Sequence, residues 1–187
     1  MPRPFSAPFV RRLSSRLKRG GLVAYPTESC YGLGCLPQNV RALQKLVRLK
    51  KRPQHKGMIV IGDGLLRLLP LLKGLSEKEQ QGIAAAWPAP LTYLLPVSSK
   101  APVMLRGKGR SKLAVRVPAH QGARALCRAL RTPLVSTSCN KAGKRPCKTE
   151  REVRRQFGRQ VAVVGGRCGG AKTPSRIVDW ASGTRLR

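Results

Sequence analysis

Short apolar runs alternate with amphipathic segments along most of this chain, and this alternation limits the folds that it can adopt. The runs have the length of buried strands and lie at residues 22–24, 58–61, 91–96, 113–117, 133–137 and 161–164. Segments with helical spacing separate them, at residues 40–50, 65–72, 76–87, 120–130 and near 149–157. Residues 177–178 suggest an edge strand. We therefore predict an α/β fold whose twisted mixed sheet is flanked by helices and carries a basic concave cleft.

Residues 1–20 are predicted to form a basic amphipathic helix within a single domain that spans residues 1–187. Phe9, Leu13 and Leu17 recur at helical spacing, and Gly20 follows as a helix terminator. The segment is rich in Arg and Ser and has no acid, so a mitochondrial transit peptide is the alternative. A chain of 187 residues is long enough for one domain with a sizeable core.

The net charge of this chain is far from neutral. It has 38 Lys and Arg residues against 7 Asp and Glu residues, which gives a formal charge of +31. Such a field attracts polyanions such as tRNA or rRNA, although a generally basic composition without that function would look the same. Aromatic residues make up only 4% of the chain, so there is little material for base-stacking platforms. The charge alone therefore identifies no function.

The cysteines and histidines do not form a recognisable zinc pattern. The six cysteines include no C-x-x-C pair, and only two histidines are present. The sequence also lacks a signal-peptide pattern and any apolar run of membrane-spanning length. We therefore predict a cytoplasmic protein with reduced thiols, no structural metal and no membrane partner.

A polar loop follows the first apolar run of the sheet. The stretch Pro26–Gly34 offers two hydroxyls, one carboxylate and a flexible Gly-x-Gly turn directly after residues 22–24. Strands of α/β sheets present such groups to small ligands at their carboxyl edge. We therefore expect this loop to contact a small ligand.

Two further polar pairs each follow the end of an element. Lys50 and Arg52 end the helix at 40–50, where a point charge and a guanidinium fork could converge on a polyphosphate. A solvated basic helix end is the alternative. Ser138 and Asn140 follow the strand at 133–137, where hydroxyl and amide groups suit phosphate oxygens, although an ordinary turn would also use them.

Conventional catalytic groups are scarce in this sequence. No Ser-His-Asp arrangement or pair of carboxylates is apparent, and Glu28 is the only acid inside a motif. The Gly-rich stretch 166–173 resembles a phosphate-binding loop, but Ala171 replaces its second glycine and Pro174 stands where its helix should begin. Anion-binding groups without a nucleophile or base favour a transfer reaction at a phosphate over hydrolysis.

The order of these motifs resembles the YrdC-like threonylcarbamoyl-AMP synthase family. The resemblance covers roughly residues 10–187. Within the family, the chain is most similar to the short bacterial TsaC type, which lacks an extra C-terminal domain. The segments that carry it are Pro26–Gly34, Lys50 with Arg52, Trp87–Pro90, Ala114–Val117, Ser138 with Asn140, and Pro174–Asp179.

The resemblance implies a nucleotidyltransferase that joins L-threonine, bicarbonate and ATP into threonylcarbamoyl-AMP and releases pyrophosphate. A separate tRNA threonylcarbamoyl transferase would then use this product to modify the tRNA adenosine next to the anticodon. Mg²⁺ is implied as the cofactor that accompanies ATP. The implied ATP-binding residues are Lys50, Arg52, Ser138, Asn140, Arg145 and Arg187, and the implied threonine-binding residues are Thr27, Arg116 and Ser175.

Two alternatives stand beside this interpretation. A non-catalytic protein of the same fold could use the cleft to bind double-stranded RNA or rRNA, and direct tRNA binding could also accompany the enzymatic activity. The second alternative is that this chain corresponds to one domain of a carbamoyl-transferring hydrogenase-maturation protein. It is disfavoured because the zinc-finger cysteines and accessory domains are not apparent in the sequence.

Overall fold

The computed structural model describes residues 5–51, 53 and 55–187. The strands are β1 Leu22–Pro26, β2 Tyr31–Gly34, β3 Ile59–Ile61, β4 Leu91–Pro96, β5 Lys112–Arg116, β6 Leu134–Ser138, β7 Val161–Val163 and β8 Arg176–Asp179. The helices are α1 Ala7–Lys18, α2 Val40–Lys50, α3 Leu65–Leu68, α4 Glu77–Ala85, α5 Val103–Arg106, α6 Gln121–Leu130 and α7 Glu150–Phe157. None of the described helices is both long and apolar enough to span a membrane.

All eight of these strands join one mixed sheet in the order β7-β1-β2-β6-β3-β5-β4-β8. The sheet confirms the predicted α/β class and the predicted edge strand, which is β8. Strand β2 runs antiparallel to both β1 and β6, whereas β3 runs antiparallel to β6 and parallel to β5. Strands β1 and β5 therefore point in opposite directions.

The two faces of the sheet are covered by different helices. Along β1, Leu22 and Ala24 pack into one core cluster, while Val23 and Tyr25 pack into another. The second cluster includes Leu13 and Leu17 of α1 together with buried residues of α6. This alternation is the period-two pattern of a strand that is buried on both faces. Helix α1 thus lies within the segment predicted to be an N-terminal helix, and it packs on the sheet through its apolar stripe.

Strand β2 is the main element that the sequence analysis missed. We expected a flexible Gly-x-Gly turn, but Gly32 and Gly34 lie inside a strand that pairs on both sides. The actual turn is tighter and lies between Thr27 and Cys30, where the Thr27 amide donates to the Cys30 carbonyl at 3.1 Å. The glycines are required for close packing, since a Cβ atom on Gly34 would lie 1.7 Å from the carbonyl oxygen of Val135.

Replacing Gly34 by alanine should therefore prevent normal folding. The added methyl group meets backbone, which cannot move without breaking the β2–β6 ladder, so we expect a loss of more than about 3 kcal/mol in unfolding free energy. Thermal and urea unfolding measure this effect. Gly74→Ala is the matched control, since a Cβ atom there would have no neighbour within 4 Å. Equal stability of the two variants would contradict the packing described for β2.

Helix ends follow the sequence signals closely, with two exceptions. Capping boxes begin α4 at Ser76 and α7 at Thr149, as their first-turn acids predict. The helix predicted at 65–72 ends early because Pro70 cannot donate a backbone hydrogen bond, and a 3₁₀ turn continues from Leu69 to Leu71. The segment 100–112, for which the sequence analysis predicts no helix, contains the short helix α5, which buries Leu105.

Candidate functional site

A cleft of about 700 Å³ lies across the sheet between β2, β3 and β6 and the loops that follow β1 and β6. Its floor includes the strand residues Gly32, Ile59 and Ser136. Gly32 keeps this floor open, because a Cβ atom there would lie 3.0 Å from the Ser136 hydroxyl oxygen. The volume is within the range of small-molecule sites.

Positive charge dominates the lining of this cleft. Its charged residues are Arg116, Arg145, Lys148, Lys172 and Arg187, together with the single carboxylate Glu152. Burial, and then the positive charge of Arg116, lowers the pKa of Arg187. Like charges held this close favour a bound anion between them. The cleft is therefore suited to a negatively charged ligand.

The three residues assigned to threonine by resemblance, Thr27, Arg116 and Ser175, all line this cleft. The Thr27 hydroxyl donates to the Cys30 carbonyl at 2.7 Å, which fixes its rotamer in the β1–β2 turn. The hydroxyl oxygens of Ser175 and Thr92 lie 3.0 Å apart, and both side chains are buried. The site thus offers two oriented hydroxyls and a guanidinium.

The Arg116 guanidinium is held by an acid from the β1–β2 turn. Its Nη2 lies 3.4 Å from Oε2 of Glu28, and both side chains are buried. Oε1 of Glu28 accepts a hydrogen bond from the Ala119 amide at 2.9 Å. The loop after β5 and the turn after β1 are therefore joined at this ion pair, although their strands run in opposite directions.

The residues assigned to ATP fall into three groups. Ser138, Arg145 and Arg187 line the cleft. Lys50 and Asn140 are not part of its lining but are joined to it through the loop after β6. Arg52, which we predicted beside Lys50, lies outside the described residues.

Lys50 stabilises the loop that follows β6. Its buried ammonium donates to the carbonyl oxygens of Ser138 at 2.5 Å and Asn140 at 2.9 Å, and to Oδ1 of Asn140 at 3.1 Å. The Ser138 hydroxyl also donates to Oδ1 of Asn140 at 2.8 Å. These bonds orient a polar loop beside the cationic cleft. Lys50 therefore contacts both members of the second polar pair, Ser138 and Asn140.

Sequence reasoning missed two of the cations that line the cleft. Lys148 follows the 139–147 loop, and its position next to α7 gave no signal in the local pattern. Lys172 lies in the Gly-rich stretch that fails as a phosphate-binding loop, and no helix follows that stretch within residues 165–175. The signal that could have identified Lys172 was its position three residues after Gly169 in this stretch. A Cβ atom on Gly169 would lie 3.2 Å from Cα of Glu28, so the glycine allows this stretch to approach the β1–β2 turn.

Among the described residues, Cys30 is the one cysteine that lines this cleft, and its thiol is free. The Cys139 thiol is buried outside the lining, and burial raises its pKa, which disfavours the nucleophilic thiolate. His120 serves as the N-cap of α6, since its Nδ1 accepts from the Ala123 amide at 3.2 Å. Within residues 5–51, 53 and 55–187, no group of three or more His, Cys, Asp or Glu side chains could hold a metal ion. The cations and hydroxyls that line the cleft are therefore suited to binding and orienting anions.

Comparison with known proteins identifies the family. Residues 15–187 match the Sua5/YciO/YrdC family model, which is described as "Telomere recombination". The chain belongs to the Sua5/YciO/YrdC family. It is 65% identical over 186 residues to a protein of Neisseria meningitidis serogroup A named threonylcarbamoyl-AMP synthase, covering 100% of this chain and 98% of that protein. A protein of the same name from Thiobacillus denitrificans is 50% identical over 175 residues, covering 94% of this chain and 93% of that protein.

A solved family structure supports the same conclusion about the fold. The crystal structure of P. abyssi Sua5 complexed with L-threonine superposes with a TM-score of 0.82 at 28% identity. The match covers 95% of this chain and 52% of the Sua5 chain, so this Sua5/YciO/YrdC chain spans about half the length of that protein. The family resemblance inferred from the sequence motifs is therefore confirmed.

Proposed function

We propose that this chain forms threonylcarbamoyl-AMP from L-threonine, bicarbonate and ATP, with release of pyrophosphate. Full-length relatives carry the name threonylcarbamoyl-AMP synthase, and the related Sua5 structure was solved with L-threonine. The supporting observation in this molecule is one cleft lined both by hydroxyls and a guanidinium suited to an amino acid and by further cations suited to phosphates.

The chemistry needs positioning more than it needs a protein nucleophile. The threonine amine combines with bicarbonate to give a carbamate and water. A carbamate oxygen then attacks the α-phosphorus of ATP, the α–β phosphoanhydride bond breaks, and pyrophosphate leaves. Because the substrate supplies the nucleophile, the protein can act by holding the reactants together and stabilising the developing negative charge.

We assign the roles of the described residues accordingly. Arg116 would pair with the threonine carboxylate, while Thr27 and Ser175 would bind its other polar groups. Ser138 and Arg145 would contact the nucleotide. Lys50 and Asn140 would fix the loop that carries Ser138, and Arg187 would contribute charge beside Arg116.

The proposed Mg²⁺ would be bound mainly by ATP. Glu152 is the one carboxylate among the described lining residues, and its Oε2 already accepts from the Lys148 and Thr149 amides. These residues do not fit a protein-built magnesium cage, so we assign none of them to the metal. A metal carried on phosphate oxygens and water needs no such cage.

The direct test is pyrophosphate release by the purified chain. We expect release only when ATP, L-threonine and bicarbonate are all present, and no release when L-threonine is replaced by L-valine, which lacks the hydroxyl group. Pyrophosphate that forms without threonine would indicate a different nucleotidyltransferase. No release under any condition would contradict the proposal.

We also propose a second activity, direct binding of tRNA or another RNA, to which the net charge of +31 would contribute. The product would be used by a separate transferase that modifies the tRNA adenosine next to the anticodon, and we place both steps in the cytoplasm. If phosphate contacts dominate, the dissociation constant for tRNA should increase at least about 10-fold between 50 and 200 mM salt. Filter binding at several salt concentrations measures this, and an unchanged dissociation constant would mean that the charge does not serve RNA binding.

A further inference from the structure

Glu28 is a buried acid that the proposed reaction leaves without a role. It is 9% exposed and does not belong to the lining of the cleft, so it lies behind the surface that a ligand would contact. Its partner Arg116 is 7% exposed and does line the cleft. Any influence of Glu28 on a ligand must therefore pass through a neighbouring group.

The contacts of Glu28 connect three parts of the site. Its side chain joins the Ala119 amide at 2.9 Å and Arg116 Nη2 at 3.4 Å. Its backbone carbonyl accepts from the Ala171 amide at 2.9 Å, in the stretch that carries Lys172. Glu28 thus holds the loop after β5 and the Gly-rich stretch against the turn after β1.

The pairing of Glu28 with Arg116 is incomplete in a specific way. Among the described residues, Oε2 of Glu28 and Nε of Arg116 are both buried and make no hydrogen bond. Their interaction at 3.4 Å is an ion pair that leaves the guanidinium with donors to spare. A guanidinium that is neutralised by an acid on one side but keeps unused donors can still bind a second carboxylate.

The surrounding charge explains why such an acid is needed. The positive charge of Arg116 reaches Arg187, so the two guanidiniums repel each other in a partly buried setting. Within the described residues, Glu28 is the only acid within 4 Å of the Arg116 guanidinium. Without that charge, Arg116 would be free to turn away from Arg187 and from the cleft.

We propose that Glu28 is a positioning residue that fixes the Arg116 guanidinium for the carboxylate of the amino-acid substrate. This inference rests on the proposed function, in which Arg116 binds that carboxylate. Glu28 then controls affinity for the amino acid and has little effect on the nucleotide. Outer partners of metal ligands give a scale for such indirect effects, since their loss lowers affinity about 10–100-fold.

The test is the steady-state kinetics of Glu28→Gln, which removes the charge but keeps the shape. We expect KM for L-threonine to rise at least about 10-fold, with KM for ATP and kcat at saturating threonine within about 3-fold of the original chain. Asp63→Asn is the matched control, because Asp63 pairs with Arg67 at 2.9 Å and does not line the cleft. It should leave both KM values unchanged.

Three outcomes of the Glu28→Gln kinetics would overturn the inference. An unchanged KM for threonine would show that Glu28 does not position Arg116. A fall in kcat with KM unchanged would point to proton transfer, and a parallel rise of both KM values would point to general structural damage. If Glu28→Gln does not fold, Glu28→Asp retains the charge and should show a smaller rise in KM for threonine alone.

A double variant tests whether the effect passes through Arg116. Glu28→Gln should add less than about 2-fold to KM for threonine in an Arg116→Gln background, because the group that it positions is already gone. A fully additive effect would overturn the inference. If the original chain consumes no threonine at all, the proposed function fails. If the original chain is active and Glu28→Gln matches it, only this inference fails.

Discussion

Replacing Lys50 by alanine should lower kcat/KM for ATP by about 10²-fold or more, because a displacement of about 1 Å in a positioning group can cost that much. The Lys50 ammonium binds three oxygen atoms of Ser138 and Asn140 at 2.5–3.1 Å. Without it these oxygens lose a charged donor, and the loop after β6 loses its orientation. Pyrophosphate release at varied ATP concentrations measures the effect.

The control for this substitution lies on the same helix. Lys45→Ala removes an exposed lysine from α2 and should leave kcat/KM for ATP unchanged. Lys50→Ala should also lower the unfolding free energy by about 1.5–3 kcal/mol, the usual contribution of a hydrogen bond to a charged group. The role assigned to Lys50 would be wrong if its alanine variant retained normal kinetics while folding normally.

Arg116→Ala should raise KM for L-threonine by a factor of roughly 30 to 5,000. In the proposed function, Arg116 pairs with the threonine carboxylate. Truncating one partner of such a buried, hydrogen-bonded charge pair costs about 2–5 kcal/mol. Each 1.4 kcal/mol is about 10-fold in affinity. The larger values apply if the Glu28 carboxylate, which is left buried and unpaired, also disturbs the turn after β1. Pyrophosphate release at varied threonine and saturating ATP measures the change.

Arg176→Ala is the matched control for Arg116→Ala. Arg176 is an exposed residue of β8 that does not line the cleft, so its loss should leave KM for threonine unchanged. Thermal unfolding should show that both variants fold. A normal KM for threonine in folded Arg116→Ala would exclude Arg116 as the carboxylate partner.

The general fold could be predicted because its signals are local. The apolar runs at 22–24, 113–117 and 133–137 pair into the sheet, and Leu13 and Leu17 pack on it at the spacing that the sequence shows. Strand β2 escaped prediction because Gly32 and Gly34 have weak strand propensity. They are required by close approach to β6 and to the side chains beside it, which is a property of the assembled sheet.

The candidate site was only partly predictable for a similar reason. Thr27, Arg116, Ser138 and Ser175 belong to segments with family motifs, and all four line one cleft. Lys148 and Lys172 have no distinctive neighbours in the sequence, and in a chain with 38 basic residues their side chains gave no contrast. The pairing of Glu28 with Arg116 was also hidden, because it joins residues 88 positions apart across strands that run in opposite directions.

The central claim is that the carbon atom of bicarbonate becomes the carbamoyl carbon of threonylcarbamoyl-AMP. Incubation with ATP, L-threonine and ¹³C-bicarbonate, followed by mass spectrometry of the nucleotide products, tests this claim directly. We predict threonylcarbamoyl-AMP that carries the label and increases in step with pyrophosphate. Threonyl-AMP without the label, or AMP with no threonine attached, would contradict it.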